Sequence, residues 1–332
     1  MRVVCLAGDG IGPEVMEQAV RALRELPLSL ELEELPFGGS GIRETGDPLP
    51  PDTLAACRTA DAVLLAAVGS PEFERTVVRP EQGLLRLRQE LGIFANLRPV
   101  RTEEVDVLIV RELSAGLYYG QKGRRSDGTA FDTCEYHPDQ IDRIARRAFE
   151  LAGQRRRAVT VADKYGVLET SALWREVVDA VSSGYPDIAL DYMLVDNAAM
   201  QLVRDPGRFD VLLTENTFGD ILSDVAAVAT GGVGLAPSAG LSETGPGIFE
   251  PIHGSAPDIA GRGIANPAAM IRSAALMLGL GLGQASEARL LDDAVDAALE
   301  QATTADRGGS ATTGEFGDAV VAFLQSQPVR AA

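Results

Sequence analysis

Short apolar runs alternate with segments of helical period along most of this chain, and that alternation restricts it to the α/β class. "RVVCLA" leads into a helical pattern over 13–26, and "LSLELEELPF" reads as a strand. A helix over 52–60 leads into "DAVLLAAVG". "VDVLIVREL", a helix over 138–152, "RAVTVAD", a helix over 170–183, "ALDYMLV", a helix over 196–204 and "FDVLLTE" follow. With 332 residues the chain is long enough for two domains or one large α/β domain. The alternation breaks between Ser114 and Pro138, where two short β-like stretches flank a glycine-rich turn. That segment reads equally as an exposed hairpin arm, offering a pairing edge to another subunit, or as an ordinary surface loop. From Gly231 the chain is rich in Gly, Ala and Pro, until "NPAAMIRSAALMLGLGL" resumes as a helix apolar nearly all round and so buried.

A net charge of −18 disfavours nucleic acid and anionic membrane as partners. No apolar run is long enough to cross a bilayer, and the apolar stretch of "MRVVCLAGDG" is too short for a signal peptide. Three scattered cysteines, without C-x-x-C spacing, give neither a disulfide framework nor a thiolate metal site. A reducing, cytoplasmic setting is expected.

"GDGIGPEV" follows the first strand and opens a helix, the place of a dinucleotide-binding loop, and Glu31, Glu33 and Glu34 lie about where a ribose-binding acid would sit. The Gly-x-Gly-x-x-Gly fingerprint fails at its last glycine, because Pro13 stands there. Proline suits the first turn of a helix, where its missing N–H is no loss. The stretch therefore reads as a tight strand-to-helix turn, structural or near a site.

"FDVLLTENTFGDILSD" carries more chemistry. Asp220 and Asp224 are four residues apart and share a helical face. Such a pair suits Mg²⁺ or Mn²⁺, or equally a helix start favoured by its dipole. Arg88, Arg98 and Arg111, with Arg86 and Arg101 nearby, could focus a di- or tricarboxylate in an otherwise acidic chain, or coat a solvated helix. Lys164 ends a buried-looking strand and reads as a base or as an exposed lysine. Tyr118 reads as packing, and His137 beside Pro138 as a helix start. The loop "FEPIHGSAPDIAGRGIANP" has few apolar anchors, the mark of a functional loop that could cradle phosphates, with Asp258 accepting from ribose hydroxyls.

Together "GDGIGPEV", "LRQELGIFANLRP", "VREL", "GLYYG", "ADKYGVLE", "FGDILSD", "EPIHGSAPDIAGRGIANP" and "GGSATTGEF" resemble, in order and over essentially the whole chain, the isocitrate/isopropylmalate family of β-decarboxylating dehydrogenases. The resemblance implies a two-domain isopropylmalate-dehydrogenase-like α/β fold with a shared mixed sheet, not a standard Rossmann fold. It implies a cofactor-binding domain over 1–93 and 231–332, and a substrate and dimerisation domain over 94–230 with an intersubunit arm at 114–137. NAD is expected on Ile11, Glu250, His253, Gly254, Ser255, Ala256, Pro257, Asp258, Ile259 and Asn266. Asp258 and Ile259 match the NAD form of the family, and a carboxylate there repels a 2′-phosphate. Arg88, Arg98 and Arg111 are expected to clamp the malate carboxylates. Asp220 and Asp224, with Asp196 from the other subunit, would hold Mg²⁺ or Mn²⁺, and Asp220 would also meet the substrate. Lys164, also from the partner of a homodimer, would be the base for the hydroxyl proton, and Tyr118 would protonate the enol.

The resemblance places Glu81, Leu84 and Leu85, with Val167, against the substrate's alkyl group. Two leucines can bury an isopropyl group and cannot solvate a third carboxylate. The implied reaction is NAD-dependent oxidative decarboxylation of isopropylmalate in leucine biosynthesis. Such a pocket separates one methylene by only about 1–3 kcal/mol, so another 3-alkylmalate, D-malate or homoisocitrate stands as an alternative. A non-catalytic NAD-binding paralogue is the alternative of another class. Two features depart from the family: "KYG" puts Gly166 in place of an asparagine and Tyr165 in place of a small residue, and the stretch between Arg98 and Arg111 is short.

Overall fold

The structure, a computed structural model, describes residues 1–327; the last five residues of the expected 231–332 segment lie outside it. The described residues pack into two compact units, Met1–Gly92 with the chain from Val233 onward, and Ile93–Gly232.

In chain order the first unit begins with β1 (Arg2–Gly8), α1 (Gly12–Arg24), β2 (Glu31–Glu34), α2 (Gly39–Thr45), α3 (Pro51–Thr59), β3 (Ala62–Ala67) and α4 (Pro80–Glu90). The second unit holds β4 (Ala95–Arg101), β5 (Asp106–Glu112), β6 (Lys122–Arg124), β7 (Ala130–Asp132), α5 (Pro138–Gly153), β8 (Ala158–Asp163), α6 (Glu169–Ser182), β9 (Ala189–Leu194), α7 (Val195–Arg204), β10 (Val211–Thr214) and α8 (Asn216–Ala227). The chain then completes the first unit with β11 (Pro237–Leu241), β12 (Gly247–Pro251), α9 (Ala268–Leu276), α10 (Ala285–Gln301) and α11 (Thr313–Ser326).

The first unit's strands run in the order β2-β1-β3-β12-β11, the first four parallel and β11 antiparallel to β12. The second unit repeats the plan in the order β4-β5-β10-β8-β9, with β4 antiparallel to β5 and the rest parallel. These ten strands belong to one mixed sheet. β3 (AVLLAA) is buried at every position, as expected of a parallel strand covered on both faces. Helix α9 is buried almost throughout and ends in a π-helical turn over Met277–Gly281. In the second unit Val107, Ile109, Leu212 and Phe209 form one buried cluster with Leu202 of α7 and Leu222 and Ala226 of α8. Each such side chain contributes about 1.5–3 kcal/mol, which fixes α7 and α8 against the sheet.

The 114–137 segment forms a two-stranded antiparallel hairpin, β6 on β7, with exposed strands. His137 caps α5, its Nδ1 accepting from the Asp139 N–H at 3.3 Å, so it is a helix start.

Candidate active site

Parallel pairing of β5 and β10 sets Arg111 level with Thr214, so Arg111 and the start of α8 emerge together. Glu215 caps α8 by accepting from the Phe218 N–H. Gly219 lets the helix approach: a Cβ there would lie 2.4 Å from Thr214 Oγ1 and 2.6 Å from Arg111 Cγ. Asp220 is thereby brought onto Arg98 and Arg111. Its Oδ1 accepts from Arg111 Nη1 at 2.6 Å and from Arg98 Nη2 at 3.3 Å. Its Oδ2 accepts from the Tyr118 hydroxyl at 2.9 Å. Asp224, one turn on, lies 3.7 Å from Arg98 Nη1.

The two guanidinium groups are buried while Asp220 and Asp224 reach solvent, with side-chain exposures of 2% and 7% against 37% and 60%. A carboxylate ligand entering from the open side meets fixed cations behind a pair of acids. Burial raises the pKa of Asp224, and the charge of Asp220 adds to that while Arg98 opposes it. Two acids that disfavour each other's ionisation suit a divalent cation. Among the described residues of one chain no third acid, cysteine or histidine joins them. Burial, then the hydrogen bond to Asp220, pushes Tyr118 up to about 12, so its phenol holds a proton it can donate.

Lys164 and Asp196 form a second pair. The β8–β9 register sets Asp163 level with Leu194, which aligns the turn after β8 with the first turn of α7. Lys164 Nζ donates to Asp196 Oδ1 at 2.5 Å, and this bond lowers the pKa of the exposed Asp196. The turn continues through Gly166, at φ +84, to the exposed Val167.

In the first unit Glu81, Leu84, Leu85 and Arg88 fall at i, i+3, i+4 and i+7 of α4 and so form one stripe. Both leucines are half-buried. Arg88, at the end of the stripe, donates to Glu250 of β12 at 2.6 Å, both side chains about 90% covered.

The opening glycine turn is a floor for the 253–259 loop. Ile11 N–H donates to Ser255 O at 2.9 Å, and a Cβ on Gly10 (φ +58) would lie 1.9 Å from that oxygen. Pro13 sits in the first turn of α1. His253 Nδ1 lies 2.9 Å from Gly254 O, while its Nε2 is buried with no hydrogen-bond partner. Burial pushes its pKa down, so the ring is neutral. Gly254 meets nothing where a Cβ would stand, and Asp258 is exposed. An orphaned imidazole nitrogen in an open glycine turn fits a nucleotide. Asn266 is engaged locally, with Nδ2 on Asp306 Oδ2 at 3.1 Å and Oδ1 accepting from Ala268 N–H at 3.0 Å.

Several supporting residues escaped the sequence reading. Asn216 Oδ1 accepts from Arg111 Nε at 3.1 Å and Nη2 at 2.7 Å, while its Nδ2 donates to Ala115 O at 2.8 Å. Asn96 accepts from Arg98 Nε at 2.6 Å, and Ser223 from Arg98 Nη1. Tyr136 OH accepts from Asn216 N–H at 2.9 Å and donates to Glu215 at 3.1 Å. For Asn96, Asn216 and Ser223 the only signal was position, since each lies within four residues of Arg98, Asp220 or Asp224; Tyr136 had no such signal.

The second unit thus sets arginines behind paired helical acids and a proton-holding phenol, and the first unit carries an open glycine turn with an orphaned imidazole nitrogen. The family model for isocitrate/isopropylmalate dehydrogenase matches residues 2–320. A 3-isopropylmalate dehydrogenase of Bacillus thuringiensis subsp. konkukian is 49% identical, over 98% of this chain and 97% of its own length. One of Synechococcus sp. (strain CC9902) is 53% identical over 90% of each. A crystal structure of isocitrate dehydrogenase from Methylococcus capsulatus matches at TM-score 0.91 and 34% identity, covering 98% of this chain and 99% of that one. A β-decarboxylating dehydrogenase from Thermococcus kodakarensis, in its apo form, matches at TM-score 0.85 and 37% identity, covering 98% and 96%. The chain belongs to the isocitrate/isopropylmalate dehydrogenase family and is a decarboxylating dehydrogenase.

Proposed function

We propose that the chain oxidises and decarboxylates (2R,3S)-3-isopropylmalate to 4-methyl-2-oxopentanoate and CO₂ with NAD, the dehydrogenase step of leucine biosynthesis, in the cytoplasm. The observation that carries the substrate is the stripe on α4, where Leu84 and Leu85 offer only apolar surface one turn before Arg88, the guanidinium proposed to take a malate carboxylate. A third carboxylate would lose its hydration there without a partner.

Arg98 and Arg111 hold the malate carboxylate as bidentate forks. Asp220 and Asp224, with Asp196 of a second copy, would hold Mg²⁺ or Mn²⁺, and the loop 253–259 would hold NAD. Asp258 disfavours a 2′-phosphate. NAD bound there would supply the acceptor for the C2 hydride, and the divalent ion would supply Lewis acidity toward the substrate oxygens. Lys164 of a second copy takes the hydroxyl proton, and Tyr118 delivers a proton to the enol left when the C–CO₂ bond breaks.

A homodimer is supported by Met200 and Val203 of α7, and Ile221 of α8 with Val228 just beyond it, all large, apolar and exposed on one chain. The 114–137 hairpin is its second contact.

The test is NADH formation with Mg²⁺, comparing 3-isopropylmalate, 3-ethylmalate, D-malate, isocitrate and homoisocitrate, with NADP⁺ in parallel. Preference for 3-isopropylmalate and NAD⁺ is expected, with turnover lost on chelation and restored by Mg²⁺ or Mn²⁺. A preference for isocitrate would refute the role given to the leucines, and no turnover on any of them would turn the reading to a non-catalytic NAD-binding paralogue.

A further inference from the structure

The "KYG" departure has a structural counterpart. Tyr165 lies with its ring centroid 4.2 Å from the Arg175 guanidinium carbon, and Tyr192 lies 4.5 Å from the same group. Arg175, on α6, grips Asp163 as a fork, Nε to Oδ2 at 2.6 Å and Nη2 to Oδ1 at 3.1 Å. Asp163 is 3% exposed, ends β8, and its Oδ1 also accepts from the Tyr165 N–H at 3.1 Å. Ring, guanidinium, carboxylate and backbone close a loop, and Lys164 is the residue inside it. The Lys164 N–H donates to Ser171 Oγ at 3.1 Å, and its carbonyl accepts from Val167 and Leu168 N–H at 3.2 Å each. Next to this, Gly166 adopts φ +84 in open space, with nothing within 4 Å of a would-be Cβ. Glycine there gives the turn more freedom than any other residue would. Asparagine, the family's residue, is among the few that tolerate that backbone.

We infer that Tyr165 is a positioning residue which, through Arg175 and Asp163, fixes the backbone of Lys164 and so the aim of its ammonium group, making up for the order lost at Gly166. This rests on Lys164 serving as the base. Stacking of a cation on a half-exposed ring is worth about a two- to fivefold factor, and that is the size of effect expected.

The experiment compares Tyr165→Ala, Tyr165→Phe and Tyr165→Ala/Gly166→Asn in the full-length enzyme with NAD⁺, Mg²⁺ and 3-isopropylmalate. Tyr165→Ala is expected to lower kcat about two- to fivefold at near-constant KM. Phe should restore it, since the ring and not the hydroxyl stacks, and the double variant should recover most of it. Deuterium exchange at residues 164–168 should speed up in Tyr165→Ala alone, with α8 unchanged. Unchanged kcat and exchange in Tyr165→Ala, or equal losses with Phe, would overturn the inference. Lys164→Ala, run in parallel, separates the two claims. If it keeps hydroxyl oxidation, the base assignment falls and the exchange result alone decides the role of Tyr165.

Discussion

Asn216→Ala isolates how a buried arginine is aimed. Asn216 is fully buried and its Oδ1 accepts from both Nε and Nη2 of Arg111, while Asp220 accepts from Nη1. A hydrogen bond to a charged group is worth about 1.5–3 kcal/mol, and the two share one acceptor, so about 3 kcal/mol of stability is at stake. At the low end of the size scaling this moves the thermal midpoint down by about 6 °C. Arg111 would keep its bond to Asp220 but swing about it, so KM for the malate should rise about tenfold or more as the fork loses alignment. Differential scanning fluorimetry and steady-state kinetics on the same preparation read both. A midpoint within about 1 °C of the parent, with KM unchanged, would mean that Asp220 alone orients Arg111 and that the argument from Asn216 is wrong.

Tyr118→Phe should lower kcat about 10²–10⁴-fold while substrate still binds. The parent's Tyr118, raised to about 12, favours the folded state below its ordinary value of 10 and loses that contribution as pH climbs from there to about 12, so phenolate absorbance and unfolding at alkaline pH should both differ from the variant. Gly166→Asn should leave the melting temperature unchanged, whereas Gly166→Val, forced to φ +84, should cost about 1–3 kcal/mol in a denaturant titration.

The strands easiest to read from sequence were those in which burial on both faces leaves a continuous apolar run, such as β3, or β5 before its last two residues. β4 was illegible as a strand because Asn96, Arg98 and Pro99 interrupt it. Two of those interruptions belong to the candidate site, since Arg98 reaches Asp220 and Asn96 accepts from Arg98. β11 and β12 hid in the Gly- and Pro-rich stretch for a different reason: they carry little side-chain pattern, and pairing defines them. Within the site, the pair Asp220 and Asp224 announced itself by helical spacing. Asn216 did not, because a polar residue at a helix start has an ordinary local explanation and its partner lies 105 residues away.

On the proposed reading, the stripe on α4 makes substrate range separable from catalysis. Arg88, proposed to meet a malate carboxylate, stands near the end of α4, and Leu84 and Leu85, proposed to meet the alkyl group, stand one turn before it. Replacing residues 84 and 85 should therefore change which group at C3 of the malate is accepted while Arg88 stays in place. A helix built this way allows a lineage to explore new side chains on its substrate by single exchanges, while the machinery that breaks the C–CO₂ bond stays as it was.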